Sequence, residues 1–486
     1  MELLFRKILI GVKVLKKITA VVLSLVLIFG LFSVNTFALG GENDYRKVIL
    51  NAIHNMEQNV DLESYNVQTE DVFSYVDFVF NQYPEYYYIS NIGSSVKPNG
   101  EMVTLYLDYR IDKEEMLERR AFIDDAVKPI LDDVGKNWSD AQKALRVHDW
   151  LVANFMYDYR LFEQPGTENH DIYGFLKDKM GVCQSYAYTY MYILRQLDVD
   201  AYYVVSDTDN HGWNVVNIDG NWYHVDVTHD DPIIGYTYRY DYMGAVRHNK
   251  FLLSDNEILD DGKHDDFYIP EVNGITCGEY TGNAIWRNAV SAFQEIDGNW
   301  YYLDNSGNAG GLMVTKDFNN SERIMEIGRY VSDWNKYGWA IGSRTYSTYY
   351  TGLFEYDGCL YFTDSTKMYA YDAERNNVRT LPASLSDDMY YFGLDMDGKT
   401  LNYLYSSGEI TKDVVRDSYT LSDNHYISGD ANGDGIVDAR DLAIQKLYLA
   451  NSYSGEITDG ADYNSDGVID ALDLASMKLF LAGASQ

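Results

Sequence analysis

Cysteine is scarce in this chain. The three cysteines in 486 residues are Cys183, Cys277 and Cys359, too few for a disulfide-stapled scaffold. A Cys277–Cys359 pair stays open, and it would leave Cys183 as an odd thiol. Basic residues are also in short supply, with 39 Lys and Arg against 74 Asp and Glu and a formal charge of −35. Such a chain repels phosphate, which excludes nucleic acid as a partner. The balance suits an exported protein or one that binds cations. The long apolar run, residues 18–32, follows Arg6, Lys7, Lys13, Lys16 and Lys17 and precedes "NTFA", which ends in Ala38. That order predicts a signal peptide over 1–38, no membrane association after its cleavage, and an uncleaved anchor as the alternative. No cysteine follows the run, so a lipoprotein is not indicated.

Apolar residues, in contrast, are plentiful. At 46% they supply real cores for about three domains of roughly 150 residues each, and they exclude general disorder. Residues 39–135 read as α+β. "DYRKVILNAIHNMEQ" and "TEDVFSYVDFVFNQ" carry helical spacing, while "YYYIS" and "MVTLYLDYR" alternate as strands do. "SDAQKALRVHDWLVANF" opens on a Ser139–Gln142 capping box, and "VCQSYAYTYMYILRQL" is a second strong helix. From 280 to 420 three aromatic segments surround Asp-Gly turns: "FQEIDGNWYYLD", "LFEYDGCLYFTD" and "FGLDMDGKTLNYLY". They predict an all-β region, either a sandwich or a few propeller-like blades, with tyrosines serving mainly as strand formers. Residues 416–428 form a short polar linker to the final segment.

The stretch "HGWNVVNIDGNWYHVDVT", residues 211–228, reads as a hairpin about an Asp219-Gly220 type I′ turn. That register sets Ile218 opposite Asn221, Trp213 opposite Asp226 and His211 opposite Thr228. His211, Trp213, His224, Asp226 and Thr228 then share one face, and Val216, Ile218, Tyr223, Val225 and Val227 the other. A one-residue slip would separate His211 from Asp226. An aspartate beside a histidine fixes the ring tautomer and stabilises the imidazolium. Cys183 is the nucleophile such a pair would serve. It opens an apolar helix, where the positive end of the helix dipole favours thiolate.

"GVCQSYAYTYMYIL" followed by "NHGWNVVNIDGNWYHVDVTHDDP" resembles the transglutaminase-like superfamily, strongly over about 135–235 and loosely upstream. The resemblance implies a papain-like fold with Cys183 as nucleophile, His211 as base and Asp226 as orienting acid. It also implies that the Cys183 backbone N–H serves in the oxyanion hole. Two positions depart from the pattern: Ser185 stands where many bacterial relatives have glycine, and His229 where they have tryptophan. A metal reading competes, because His211, His224, Asp226, His229, Asp230 and Asp231 are close in sequence. Zinc held by Cys183, His211 and Asp226 is chemically reasonable, but the spacing matches no compact zinc motif.

The clearest repeat is C-terminal. "DANGDGIVDARDLAIQKLYLA" recurs 32 residues later, at 462, as "DYNSDGVIDALDLASMKLFLA". Oxygen donors fall at EF-hand loop positions. They are Asp430, Asn432, Asp434, Asp438 and Asp441 in one loop and Asp462, Asn464, Asp466, Asp470 and Asp473 in the other. Gly435 and Gly467 supply the sharp turn, and the backbone carbonyls of Ile436 and Val468 complete each set. Two Ca²⁺ ions are expected. One helix follows each loop, and residues 428–486 resemble a type I dockerin, which implies a cohesin partner on a cellulosomal scaffold. By that analogy Ala439, Arg440 and Lys446 face cohesin in one half, and Ala471, Leu472 and Lys478 in the other.

The chain thus reads as multidomain α+β: a signal peptide (1–38), an N-terminal α+β domain (39–135), a papain-like transglutaminase core (136–275), an all-β aromatic-rich domain (280–420) and an EF-hand-like dockerin (428–486). The expected function is that of a secreted cysteine enzyme acting on protein or peptide amide bonds, attached to a cellulosome engaged in polysaccharide catabolism. The alternatives are a catalytically silent core serving with the β domain as a carbohydrate- or protein-binding component and, more weakly, a pure scaffold component.

Overall fold

The computed structural model describes residues 44–482 with interruptions, the longest at 268–277, 328–351, 407–414 and 422–427. The expected signal peptide, Cys277, Asp434, Gly435 and Gly467 lie outside the described residues. Among the described residues, no helix is long and apolar enough to cross a membrane.

Helices α1 (Tyr45–Asn55) and α2 (Thr69–Gln82) accompany an antiparallel sheet of β1 (Asn59–Asp61), β2 (Ile89–Val96) and β3 (Met102–Tyr109), with β3 central. Helix α3 (Lys113–Asp133) follows, its first turn capped by Asp112, whose carboxylate accepts from the Glu115 N–H. At the end of α2 the buried Gln82 acts as a strand would. Its amide donates to the Tyr203 carbonyl and accepts from the Tyr203 N–H, both at 2.9 Å. The edge of the next sheet is thereby satisfied by a side chain.

That sheet is the centre of the core. Strands β4 (Ala201–Ser206), β5 (His211–Ile218) and β6 (Asn221–Val225) run antiparallel in chain order. Before them come α4 (Asp140–Asn154), opened by the expected Ser139–Gln142 capping box, α5 (Ile172–Asp178) and α6 (Cys183–Gln196). Apolar residues recur along α6 at helical spacing, and Tyr186, Tyr190, Met191, Ile193 and Leu194 are all 0% exposed. Each such burial stabilises by roughly 1.5–3 kcal/mol relative to exposure. Asn214 in β5 donates to the Ala187 carbonyl of α6 at 3.0 Å, which fixes sheet against helix. The helix start thus sits beside the start of β5.

The β5–β6 hairpin has the predicted turn, with Asp219 at φ 52° and Gly220 at φ 86°. Its register is also as predicted, from Ile218↔Asn221 to Asn214↔Val225. One expectation fails. The hairpin pairing carries the strand on through Asp226 and Thr228, but β6 ends at Val225 and the chain turns into a short helix, α7 (Val227–Asp230). The cause is local: the Asp226 carboxylate accepts from the His229 N–H at 3.1 Å and caps that turn.

Beyond the core, the three Asp-Gly segments become the first hairpins of three separate meanders. The first comprises β7 (Gln294–Ile296), β8 (Asn299–Asp304), β9 (Gly310–Thr315) and β10 (Ser321–Ile327). The second comprises β11 (Phe354–Tyr356), β12 (Cys359–Thr363), β13 (Met368–Asp372) and β14 (Asn377–Thr380). The third comprises β15 (Tyr390–Asp397), β16 (Thr400–Ser406) and β17 (Val415–Thr420). Trp300 and Tyr302 on one face of the first sheet pack into the main core, and Tyr301 and Leu303 on the other meet Leu360 and Phe362 of the second. Cys359 and Tyr361 then meet Leu394 and Leu401 of the third. Three consecutive sheets stacked face to face match the blade-like expectation better than the two-sheet sandwich. The C-terminal repeat supplies helices α8 (Ala439–Leu449) and α9 (Ala471–Leu481), which pack on each other.

Candidate active site

Cys183 is the first residue of α6, and no side chain caps this helix. The backbone just before it is tightly fitted. A methyl group on Gly181 would lie 2.1 Å from Ser185 Oγ, which itself donates to the Val182 carbonyl at 2.7 Å. Ser185 therefore occupies the space beside the turn that presents the thiol. Facing it, His211 opens β5, near enough to Cys183 for the thiol to favour the charged form of its ring. His211 Nε2 lies 2.7 Å from Asp226 Oδ2, which leaves Nδ1 as the nitrogen for the thiol. The three residues expected from sequence are thus brought together. The His211 side chain is 12% exposed and Asp226 1%, so the pair is largely withdrawn from solvent.

Burial opposes protonation of His211, but the Asp226 carboxylate and Cys183 outweigh it and push the ring up to about 10. Asp226 is likewise burdened by burial, yet His229 and His211 hold its carboxyl well below the usual range. Trp213 stacks along the His211 ring at 5.9 Å between centroids, 16° from parallel. Its indole N–H donates to His224 Nδ1 at 3.0 Å, and His224 Nε2 then reaches Asp255 at 2.8 Å. An indole only donates, so the bond fixes His224 in its Nε2–H form. Burial also lowers the His224 pKa. His224, clustered with His211 in sequence, therefore belongs to a supporting chain.

Two further rings converge on Asp226 Oδ2. His229 Nδ1 lies at 2.5 Å and His264 Nε2 at 2.8 Å. His229 is one of the residues whose closeness in sequence suggests a metal, whereas His264, 38 residues beyond Asp226 with no motif around it, carries no such signal. The other acidic residues of the stretch point elsewhere. Asp230 reaches His148 Nε2 at 3.2 Å, and Asp231 accepts from Tyr186 Oη at 2.5 Å. Burial pushes Asp231 up to about 7. His148 also bonds Asp149 through Nδ1 at 2.9 Å. Burial opposes its charge, but its two carboxylate partners raise it to about 9. This fully buried pair ties α4 to α7 and so braces the turn that carries Asp226. The only sequence signal for it was a His-Asp dipeptide on the apolar face of α4.

In the C-terminal loops, the last acidic residue turns back into each loop. Asp441 accepts from the Asn432 and Asp438 N–H groups at 3.1 and 2.9 Å, and Asp473 from those of Asn464 and Asp470 at 3.0 and 2.8 Å. Asp438 and Asp470 cap the helices that follow. Asp430 is 2% exposed, and Asp441 and Asp473 are 0% exposed. Ile436 and Val468, at the backbone-donor positions, turn their side chains outward at 58% exposure. Buried carboxylates facing an oxygen-lined turn fit a hard divalent cation.

Residues 129–227 match the transglutaminase-like superfamily, and residues 428–482 match the dockerin type I domain. The chain carries a transglutaminase-like core and a C-terminal type I dockerin. Residues 291–309 also match a family described as "Putative cell wall binding repeat". No curated protein matches the chain. Solved structures similar to the chain include a TGase at 13% identity and TM-score 0.21, covering 29% of this chain and 44% of that one. A candidate cysteine protease from Cytophaga hutchinsonii matches at 18% identity and TM-score 0.18, covering 28% and 61%. A candidate protease from Parabacteroides distasonis matches at 13% identity and TM-score 0.17, covering 28% and 35%. In each case less than two thirds of the other chain is spanned.

The dockerin implies a cohesin partner and a place in a cellulosome, and type I dockerins bind calcium. Its surface is consistent with a protein partner. Ala439, Arg440, Lys446, Ala471, Leu472 and Lys478 are all exposed. Nearby Leu447, Leu479 and Phe480 leave 46%, 55% and 53% of their surface in solvent. In the cell-wall repeat, by contrast, Trp300, Tyr301 and Tyr302 are 1%, 5% and 1% exposed. Those rings are core and offer no stacking face.

Proposed function

We propose that the chain is a secreted, cellulosome-attached cysteine enzyme that opens protein amide bonds by acyl transfer. The observation that carries this reading is the ring of His211, which lies 2.7 Å from Asp226 through Nε2 and has Cys183, the first residue of α6, as its neighbour. The Cys183 thiolate attacks an amide carbonyl, and the backbone N–H of Cys183 at the start of α6 helps hold the developing oxyanion. His211 gives its proton to the leaving amine, and a thioester remains. Water or a primary amine, deprotonated by His211, then cleaves that thioester. Water gives peptide hydrolysis, and an amine gives a transglutaminase-type crosslink. Asp226 holds the ring in place and stabilises its charged form throughout.

The dockerin attaches this enzyme to a scaffold-borne cohesin at the cell surface after cleavage of the signal peptide over 1–38. One Ca²⁺ in each loop would neutralise carboxylates otherwise crowded together, with Asp430, Asn432, Asp434, Ile436, Asp438 and Asp441 holding one ion. Asp462, Asn464, Asp466, Val468, Asp470 and Asp473 would hold the other. A second reading, a silent core that binds cell-wall carbohydrate through the β sheets, draws on the match at 291–309. Reaction of the full chain with a peptide library, with and without a primary amine, separates the two readings by mass spectrometry. Acyl products that vanish in Cys183→Ala are expected, and their absence from the native protein would favour the silent core.

A further inference from the structure

Asp226 Oδ2 is overcrowded. Three imidazole nitrogens lie within 2.8 Å of this one oxygen: His211 Nε2 at 2.7 Å, His229 Nδ1 at 2.5 Å and His264 Nε2 at 2.8 Å. A carboxylate oxygen has about two lone pairs to offer. The nitrogens also face one another, with His229 Nδ1 3.1 Å from His211 Nε2. If both carried hydrogens toward Asp226, two N–H groups would be forced together. Turning three nitrogen lone pairs inward onto a cation removes both conflicts.

We propose that His211, Asp226, His229 and His264 form a binding site for one divalent transition-metal ion of the zinc class. The four donor atoms lie within 4.8 Å of one another. A tetrahedral ion bound at about 2.0–2.1 Å needs donor separations of about 3.3 Å. Four of the six spacings, at 2.5–3.1 Å, reach that with shifts of less than an ångström, and the two from His264 to the other rings are within 4.8 Å. Three imidazoles and one carboxylate suit Zn²⁺, and they are a poor set for Ca²⁺, which takes oxygen. The surroundings hold the ligands in place. His264 is 0% exposed and packs edge-on against Trp213 at 4.9 Å between centroids. His229, with 28% of its side chain exposed, leaves a route in from solvent.

This set differs from a zinc site built on Cys183. Cys183 is not among the four grouped donors, so the metal takes Nε2 and Asp226 and leaves Cys183 uncoordinated. Occupancy then has a consequence that rests on the proposed acyl transfer. A metal on Nε2 takes Asp226 away from the ring, and a metal-bound imidazole no longer cycles a proton at Nδ1. The site becomes a reversible off state, relieved by chelation.

The test uses the full chain with its dockerin loops saturated with Ca²⁺. Zn²⁺ is added, excess is removed by gel filtration, and bound metal is counted by atomic emission. Co²⁺ serves as a second probe, read by the visible absorption of a tetrahedral ion. One equivalent is expected in the native chain and in Cys183→Ala. His264→Gln and His229→Gln are each expected to weaken binding at least about tenfold, the loss seen even for outer-shell partners. His229 is partly exposed, so its variant reports even if the buried His264 variant misfolds. Overturning results are no retained metal in the native chain, retention unchanged in His229→Gln, or loss in Cys183→Ala. Native chain that binds metal, yet forms no acyl product even after that metal is removed by chelation, would leave this site standing and refute the enzymatic reading alone.

Discussion

The transglutaminase-like site and the dockerin loops each gather charged donors about a point, and they do so by opposite routes. A dockerin loop draws all its donors from twelve consecutive positions, Asp430 to Asp441 or Asp462 to Asp473. Backbone turns alone bring Asp441 back to the Asn432 and Asp438 amides. The core site draws Cys183 from a helix start, His211 from a strand start, Asp226 and His229 from a capped turn, and His264 from beyond. Apart from the cap that joins Asp226 to His229, nothing local holds these together. The packing of α6 on β5, the register of one hairpin and a buried His148–Asp230 brace do so. A contiguous site depends on its ligand, and a dispersed site depends on its scaffold.

The comparison is broken most sharply by single changes at the dispersed site. Cys183→Ala should abolish acyl transfer, and His211→Ala should reduce kcat/KM by about 10²–10⁴. Both should leave calcium-dependent cohesin binding intact, as measured by titration calorimetry. Loss of cohesin binding in either variant would show the two regions to be coupled. Removing calcium is the converse. Stripping an ion present at about 100 times its Kd should cost about 2.7 kcal/mol per loop. Calorimetry should then show a lowered dockerin transition beside an unchanged core transition.

A pH series sharpens the contrast. The folded-state pKa of His211 is raised from 6.5 to about 10. Its stabilising share is therefore fully present below pH 6.5 and is lost as the pH rises through about 10. The Tm gap between the native chain and His211→Gln should narrow over that window. A constant gap would contradict the charged ring. The smallest expected effect is at the hairpin. Gly220→Ala places a Cβ at φ 86° and should cost the core about 1–2 kcal/mol, read by urea denaturation.

The hairpin shows what the sequence makes legible. A two-residue turn and a period of two leave one register, and that register puts His211 and Asp226 on one face. The strand expectation fails at Asp226 itself, because an aspartate at a strand end is also a helix cap, and here the cap wins. The dockerin loops were readable for the same local reason. The Asp-Gly hairpins were also visible, but their division into three stacked sheets depends on which alternate face meets which neighbour. His264 and His148 were hidden for a stronger reason. Each pairs with a carboxylate far along the chain, His264 with Asp226 and His148 with Asp230, and only the tertiary fold brings them close.

The most direct test is the rate at which an alkylating reagent consumes the Cys183 thiol at neutral pH. A thiol served by the His211 ring should react at least about tenfold faster in the native chain than in His211→Ala, with Asp226→Asn in between. Equal rates in all three proteins would contradict the pairing of Cys183 with His211, and with it the enzymatic account.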